Sequence, residues 1–277
     1  MQVFDDHVCA LGEGPLWHPE REALFWFDIL GKTLHCRGAS HQSWVFDDYV
    51  SAAGWVDKDT LLIASSTALW RFDIPSGARE RIVALEADNP VTRSNDGRAD
   101  PQGGFWIGTM GINAEAYAGA IYRYYRGELR QLFDKITISN AICFAPDGKT
   151  AYFTDTFSKR VQRVALDGDG WPKGAPETYV DLRAEGLNPD GAVIDAMGNM
   201  WNAQWGAGRV ACYDADGTFV RRIAVPASQA TCPAFGGQNY TTLYVTSASD
   251  GVDEAQGGMT FSIDAGIQGR REHQVVL

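Results

Sequence analysis

Short apolar stretches, rich in aromatic and β-branched residues, recur along the whole chain between polar turns. The clearest are Leu24-Phe-Trp-Phe27, Leu61-Leu-Ile-Ala64, Phe105-Trp-Ile-Gly108, Ala151-Tyr-Phe-Thr154 and Leu243-Tyr-Val-Thr246. Runs of this kind, bounded by Gly, Pro, Asn and Asp, are strand signals. Each follows another short strand across a turn. The leading strands are Glu13–Trp17, Ala52–Val56, Asn95–Ala99, Asn140–Phe144 and Thr231–Phe235. A sixth pair is Pro189-Asp-Gly-Ala-Val-Ile-Asp195 followed by Met200-Trp201. Third strands are expected at Thr33–Cys36, Leu69–Asp73, Ala120–Tyr124, Val161–Ala165, Arg209–Tyr213 and Met259–Ile263. Outer strands are expected at Trp44–Phe46, Arg81–Val83, Leu129–Phe133, Thr178–Val180 and Val220–Ala224, with Val275-Val276-Leu277 supplying the last.

Six units of four antiparallel strands, repeating at about 40–50 residues, predict an all-β, six-bladed β-propeller. A double-sheet sandwich is the alternative, but that fold does not require the repeat. No long amphipathic helix and no linker is evident, so residues 1–277 are expected to form a single domain.

The residues that open the six leading strands are Glu13, Ala52, Asn95, Asn140, Asp190 and Thr231. In a propeller the innermost strands line the central channel, and their equivalent ends face one mouth. Glu13, Asn140 and Asp190 would then converge as two carboxylates and an amide oxygen. These hard donors suit calcium, magnesium, manganese or iron(II), and a structural zinc less. The local alternative is that Asn-Asp-Gly and Pro-Asp-Gly are simply turn formers. Glu13 argues against it, because Glu is not a favoured turn residue. Arg93 lies two residues from a ring position, within reach of a bound oxyanion or hydroxyl, and Asp96 is placed to hold its guanidinium. The segment Gly111–Gly119, on the ring side, is either a lid or an ordinary insertion.

Composition narrows the function classes. Hydrophobic residues make up 45%, enough for a core, and the net charge is -11 with no basic run. A nucleic-acid partner is not expected, since phosphate binding needs a basic footprint. The acidity is compatible with a divalent cation. The five cysteines are scattered without a C-x-x-C, which suits reduced thiols and a cytoplasmic location, and no apolar stretch is long enough to span a membrane. The start of the chain has no signal-peptide pattern. Gly206–Ala211 matches G-x-G-x-x-A but lies in a hairpin, and Asp167–Pro172 lacks the glycine of an EF-hand loop. The histidines His7, His18, His35, His41 and His273 show no ligand-pair spacing.

Several segments together carry a resemblance: Leu11–Trp17, Arg93-Ser-Asn-Asp-Gly97, Phe105–Met110, Ile138–Ala141, Tyr152–Asp155, Asn188–Gly191 and Gly206–Val210. In this order they resemble the senescence marker protein / gluconolactonase / luciferin-regenerating enzyme family, over about residues 11 to 265. The resemblance implies a six-bladed propeller with one divalent metal in its channel and hydrolysis of sugar lactones. It implies Glu13, Asn140 and Asp190 as metal ligands, with Ca²⁺ the first choice and Zn²⁺, Mn²⁺, Mg²⁺ or Fe²⁺ as alternatives. Asp190 also matches the family's general base, and Arg93 and Asn95 match substrate-binding positions; Asp96 is grouped with them. The lid carboxylate falls to Asn113 or Glu115. Ala141 stands where Asn-Gly is the usual pattern. The implied partner is a small sugar lactone. Rivals on the same scaffold are a phosphotriesterase- or arylesterase-like hydrolase and a non-enzymatic calcium-binding regulatory protein.

Overall fold

The computed structural model describes residues 1–277. Its first strand, β1 (Gln2–Asp5), belongs to the last blade. Blade one is β2 (Gly12–His18), β3 (Ala23–Asp28), β4 (Thr33–Arg37) and β5 (His41–Val45); blade two is β6 (Val50–Asp57), β7 (Thr60–Ser65), β8 (Ala68–Asp73) and β9 (Arg79–Ala84). Blade three is β10 (Thr92–Ala99), β11 (Phe105–Gly111), β12 (Gly119–Tyr125) and β13 (Glu128–Ile136); blade four is β14 (Ser139–Phe144), β15 (Thr150–Asp155), β16 (Arg160–Leu166) and β17 (Pro172–Asp181). Blade five is β18 (Asn188–Ile194), β19 (Met200–Trp205), β20 (Arg209–Tyr213) and β21 (Phe219–Ala224); blade six is β22 (Ala230–Gly236), β23 (Thr242–Ser247), β24 (Thr260–Asp264) and β1. Every pairing is antiparallel, and the protein is an all-β, six-bladed propeller. The one helical element is a 3₁₀ turn, Thr156–Ser158. No helix is long and apolar enough to cross a membrane.

The expected last strand is corrected. Val275–Leu277 forms no strand, and β1 closes the ring by pairing with β24, Gln2 opposite Ser262 and Val3 opposite Phe261. The ends of the chain are thus joined within one sheet.

The core lies between neighbouring blades, where second strands supply most of the bulk. Trp26, Trp106 and Trp201, on β3, β11 and β19, are fully buried. Phe25, Phe27, Leu61, Ile63 and Phe72 pack blade one on blade two. Truncating one such ring to Ala costs about 3–5 kcal/mol. Trp201 also donates its indole N–H to Asp195 Oδ2 at 2.9 Å, so its one polar atom is satisfied.

The C-terminal tail does different work from that expected. Gln268 O accepts from Ala196 N, Gly269 N donates to Tyr240 O, and Arg270 reaches Pro146 O. Arg271 meets Glu20, Trp55 Nε1 donates to Glu272 O at 2.9 Å, and Val276 N donates to Gly103 O. The tail therefore touches all six blades at their far-end turns. Glu272 pairs with Arg98 of β10, both nearly buried. The voids beside Glu272 are small, about 20 and 10 Å³. Removing one partner of such a pair costs about 3–5 kcal/mol, because the other charge is stranded.

Candidate active site

Each of four innermost strands slips register near its ring end. The slips fall between Glu13 and Leu16, Ser94 and Gly97, Asn140 and Cys143, and Pro189 and Ala192. A bulge of this kind bends a strand and re-aims a side chain. Gly14 shows what the bend demands. Its φ is +55°, and a Cβ there would lie 2.3 Å from Ser51 O. Ala141 occupies the matching place in blade four at φ 56°, a conformation that an L-residue adopts at a penalty of roughly 1–2 kcal/mol.

The bulges bring Glu13, Asn95, Asn140 and Asp190 to one end of the channel, where with Arg93 they line a well of about 620 Å³. Ala52 and Thr231, the other two ring positions, are buried outside its lining. The wall is completed by Leu11, Met110, Ile138, Thr156, Phe157, Lys159, Asn188 and Trp205. The sequence pattern singled out none of these eight side chains for a role. The one usable signal was that Thr156–Lys159 follows the ring-side end of β15.

Hydrogen bonds fix the polar groups. Thr156 Oγ1 donates to Pro189 O at 2.7 Å, so it must accept from Asn140 Nδ2 at 3.0 Å. That sets the Asn140 amide, whose Oδ1 accepts from Asn95 Nδ2 at 3.0 Å and keeps a lone pair. Asn95 Nδ2 also donates to Ser139 O at 2.9 Å, and its Oδ1 accepts from Arg93 Nη1 at 2.7 Å. Arg93 Nε is buried without a partner. Asp190 Oδ1 is buried without one as well, although the residue is only 4% exposed. Such orphaned polar atoms, a donor and an acceptor, are unfavourable unless something else meets them.

The acids strain against one another. Burial pushes the Glu13 carboxyl up to about 8, with Asp96 adding to it and the Gly14 N–H and Arg93 opposing. Asp190 is raised well above the usual carboxylate range, first by burial and then by Glu13 and Asp96. Burial holds Arg93 down at about 10. One guanidinium does not balance this acid cluster, whereas a divalent cation would favour the ionised form of both carboxyls.

Two expectations need correcting. Asp96 does not hold Arg93 and does not line the well: its Oδ2 accepts from Ile142 N at 2.7 Å, and it faces a small void on the plug side. Asn113 and Glu115 do not line the well either. Both are exposed or half-buried, and they bond to each other, Asn113 Nδ2 to Glu115 Oε1 at 3.0 Å. Met110, at the end of β11, is what that region contributes.

A six-bladed propeller plugged at one end, with carboxylates and carboxamides gathered at the other, defines a class of channel-centred β-propeller proteins. Within that class the chain belongs to the SMP-30/Gluconolactonase/LRE-like family, whose sequence pattern spans residues 11–249. It is 36% identical to the L-arabinolactonase of Azospirillum brasilense, over 91% of this chain and 85% of that one. It is 34% identical to a pentonolactonase of Haloferax volcanii, over 96% and 95% of the two chains. Among solved structures, a calcium-binding protein, regucalcin, from Agrobacterium tumefaciens superposes with a TM-score of 0.96 at 41% identity, covering 100% of this chain and 97% of that one.

Proposed function

We propose that the protein is a metal-dependent hydrolase that opens sugar lactones to their aldonic acids. Hydrolysis of sugar lactones is supported by the two lactonase relatives, each aligned over nine-tenths or more of the chain. The observation that carries the metal dependence is the orphaned, buried Oδ1 of Asp190 beside Glu13 in the well. The donor set suits a hard divalent cation, Ca²⁺ first and Mg²⁺, Mn²⁺, Zn²⁺ or Fe²⁺ as alternatives.

Glu13, Asn140 and Asp190 would hold the ion, and the Thr156–Asn140–Asn95 network presents the Asn140 amide oxygen to it. When bound, the ion supplies Lewis-acid polarisation of the lactone carbonyl. Asp190 accepts the proton of the attacking water and returns it to the ring oxygen as the acyl C–O bond breaks. Arg93, with the rest of its guanidinium free of protein partners, binds substrate oxygens. Asn95 has both amide N–H groups engaged, so it contacts substrate only through Oδ1 and otherwise positions Arg93 and Asn140.

One observation favours a second reading. Leu11, Met110, Ile138, Phe157 and Trp205 give the well an apolar wall, which suits an aryl ester better than a polyhydroxylated ring. The test is acid release from pentono- and hexonolactones and from aryl esters, by metal-stripped protein reloaded with each cation. Metal-dependent lactone turnover is expected. Preference for the aryl esters selects the second reading. Tight metal binding without turnover of either leaves a calcium-binding protein.

A further inference from the structure

The segment between β1 and β2 carries the chain from the closing strand of blade six into blade one. It holds His7 and Cys9. His35, on β4, faces them. One ring nitrogen of each histidine and the Cys9 sulfur lie within 4.8 Å of one another. The sequence showed no ligand pair among its histidines; the fold assembles one from positions far apart in the chain.

Three features set this cluster apart from ordinary core packing. His35 is 2% exposed, and its Nε2 is buried without any partner. Its other nitrogen, Nδ1, is engaged by His41 Nε2 at 3.2 Å, so Nε2 is the atom left for a ligand. Cys9 is fully buried, with its backbone clamped by Gly258 and Ser249. The Trp26 ring stacks on His35 at 5.3 Å and 18°, fixing the imidazole plane. His7, by contrast, is exposed and can swing, its ring 4.4 Å from that of His35. The acids facing the cluster are Asp5, paired with Arg37, and Asp28.

We propose that His7, Cys9 and His35 form a second metal site, for a borderline-soft divalent cation such as Zn²⁺, which pins the ring-closing strand to blade one. The donor set is one sulfur and two imidazole nitrogens, the chemistry of zinc rather than of calcium. Zn–S near 2.3 Å and Zn–N near 2.0–2.1 Å require the donors to close by about 1 Å, which the exposed His7 provides. Binding displaces the Cys9 thiol proton to solvent, leaving thiolate and two neutral rings on the ion. His35 Nδ1–H then donates to His41 Nε2, the outer contact that orients a ligating imidazole. A fourth position is left for water. This site is independent of the oxygen-lined well and of any lactonase activity.

The test uses metal-stripped full-length protein titrated with Co²⁺, whose thiolate charge-transfer absorption reports a sulfur ligand. One equivalent is expected to give that band, with Zn²⁺ bleaching it. Asn140→Ala, in the well, should leave the band unchanged. His7→Ala, an exposed change that spares the core, should lose it at cobalt concentrations that saturate the wild type. His41→Ala should weaken cobalt binding by about 10-fold or more, as loss of an outer-shell partner does. With the well already saturated by Ca²⁺, one equivalent of Zn²⁺ should raise the Tm of wild type further, and not that of His7→Ala with unaltered circular dichroism. Absence of the band at saturating Co²⁺, or its persistence in His7→Ala, overturns the proposal.

Discussion

Asp190→Asn should move two properties in opposite directions. The amide has the shape of the carboxyl, and the backbone around it is held independently, Asp190 O accepting from Asn202 Nδ2 at 2.8 Å. The well therefore survives the change. In metal-free protein, wild-type Asp190 must either bury a charge beside Glu13 or take up a proton. Asn does neither. For an acid whose folded pKa is raised, native stability is full below the unfolded value, near 3.9, and declines as pH rises. Metal-free Asp190→Asn should thus match wild type at about pH 4 and exceed it near neutrality. The amide leaves the orphaned position polar, so the gain comes from removing the charge: relief of a like charge a few ångströms away, at the effective dielectric of a protein site, is on the order of 1–3 kcal/mol. At roughly 2–4 °C per kcal/mol for a chain of this size class, that is a Tm gain of a few degrees. With metal the order should reverse. The amide can still coordinate a hard cation, with less charge, so the metal-induced Tm rise shrinks. An amide cannot accept a proton, so kcat at saturating metal should fall about 10²-fold or more. Thermal melts of chelator-treated and metal-loaded protein, with pH-stat lactone assays, measure all three. A metal-free variant less stable than wild type near neutrality would falsify the strained acid cluster. Full activity at saturating metal would reduce Asp190 to a ligand and send the search for the proton acceptor elsewhere in the well.

Asn140→Ala should weaken metal binding without unfolding the protein, since the side chain lines the well rather than the packed core; unchanged stoichiometric metal by calorimetry would refute its place as a ligand. Arg93→Ala should mainly raise KM for the lactone, the signature of a group that binds ground and transition states alike; an equal fall in kcat with KM unchanged would mean that it acts only in the transition state. Metal affinity should climb between pH 6 and 8, because Glu13 carries a proton up to about 8 in the metal-free well and must release it. Calorimetry in buffers of different ionisation enthalpy counts that proton, and a pH-independent affinity speaks against Glu13.

Much of this was legible in the sequence because the propeller repeats. Turns at equivalent positions mark equivalent strands, and strand starts mark one rim, so the pattern of residues alone groups Glu13, Asn95, Asn140 and Asp190. What lay outside the repeat was not legible. β1 has no counterpart at its own end of the chain, and its partner β24 is over two hundred residues away. The apolar Val275-Val276-Leu277 looked like a strand, but Val275 packs against the plugged end instead. Asp96 was misplaced by overlooking strand alternation: one residue after Asn95, it points away from the face that Arg93 and Asn95 share and bonds to Ile142 N instead. The His7–Cys9–His35 cluster spans two blades, and no spacing rule reaches across that junction.

The tail that crosses all six far-end turns has a consequence for traffic. With that floor sealed, the well is a cul-de-sac, and whatever enters must leave by the same threshold, past Phe157, Lys159 and Trp205. Product still in residence would bar the next substrate, so acid should inhibit as a simple competitor. Removing the tail after Ala265 would, if the blades held, open a second doorway beside Arg98 and admit water from below.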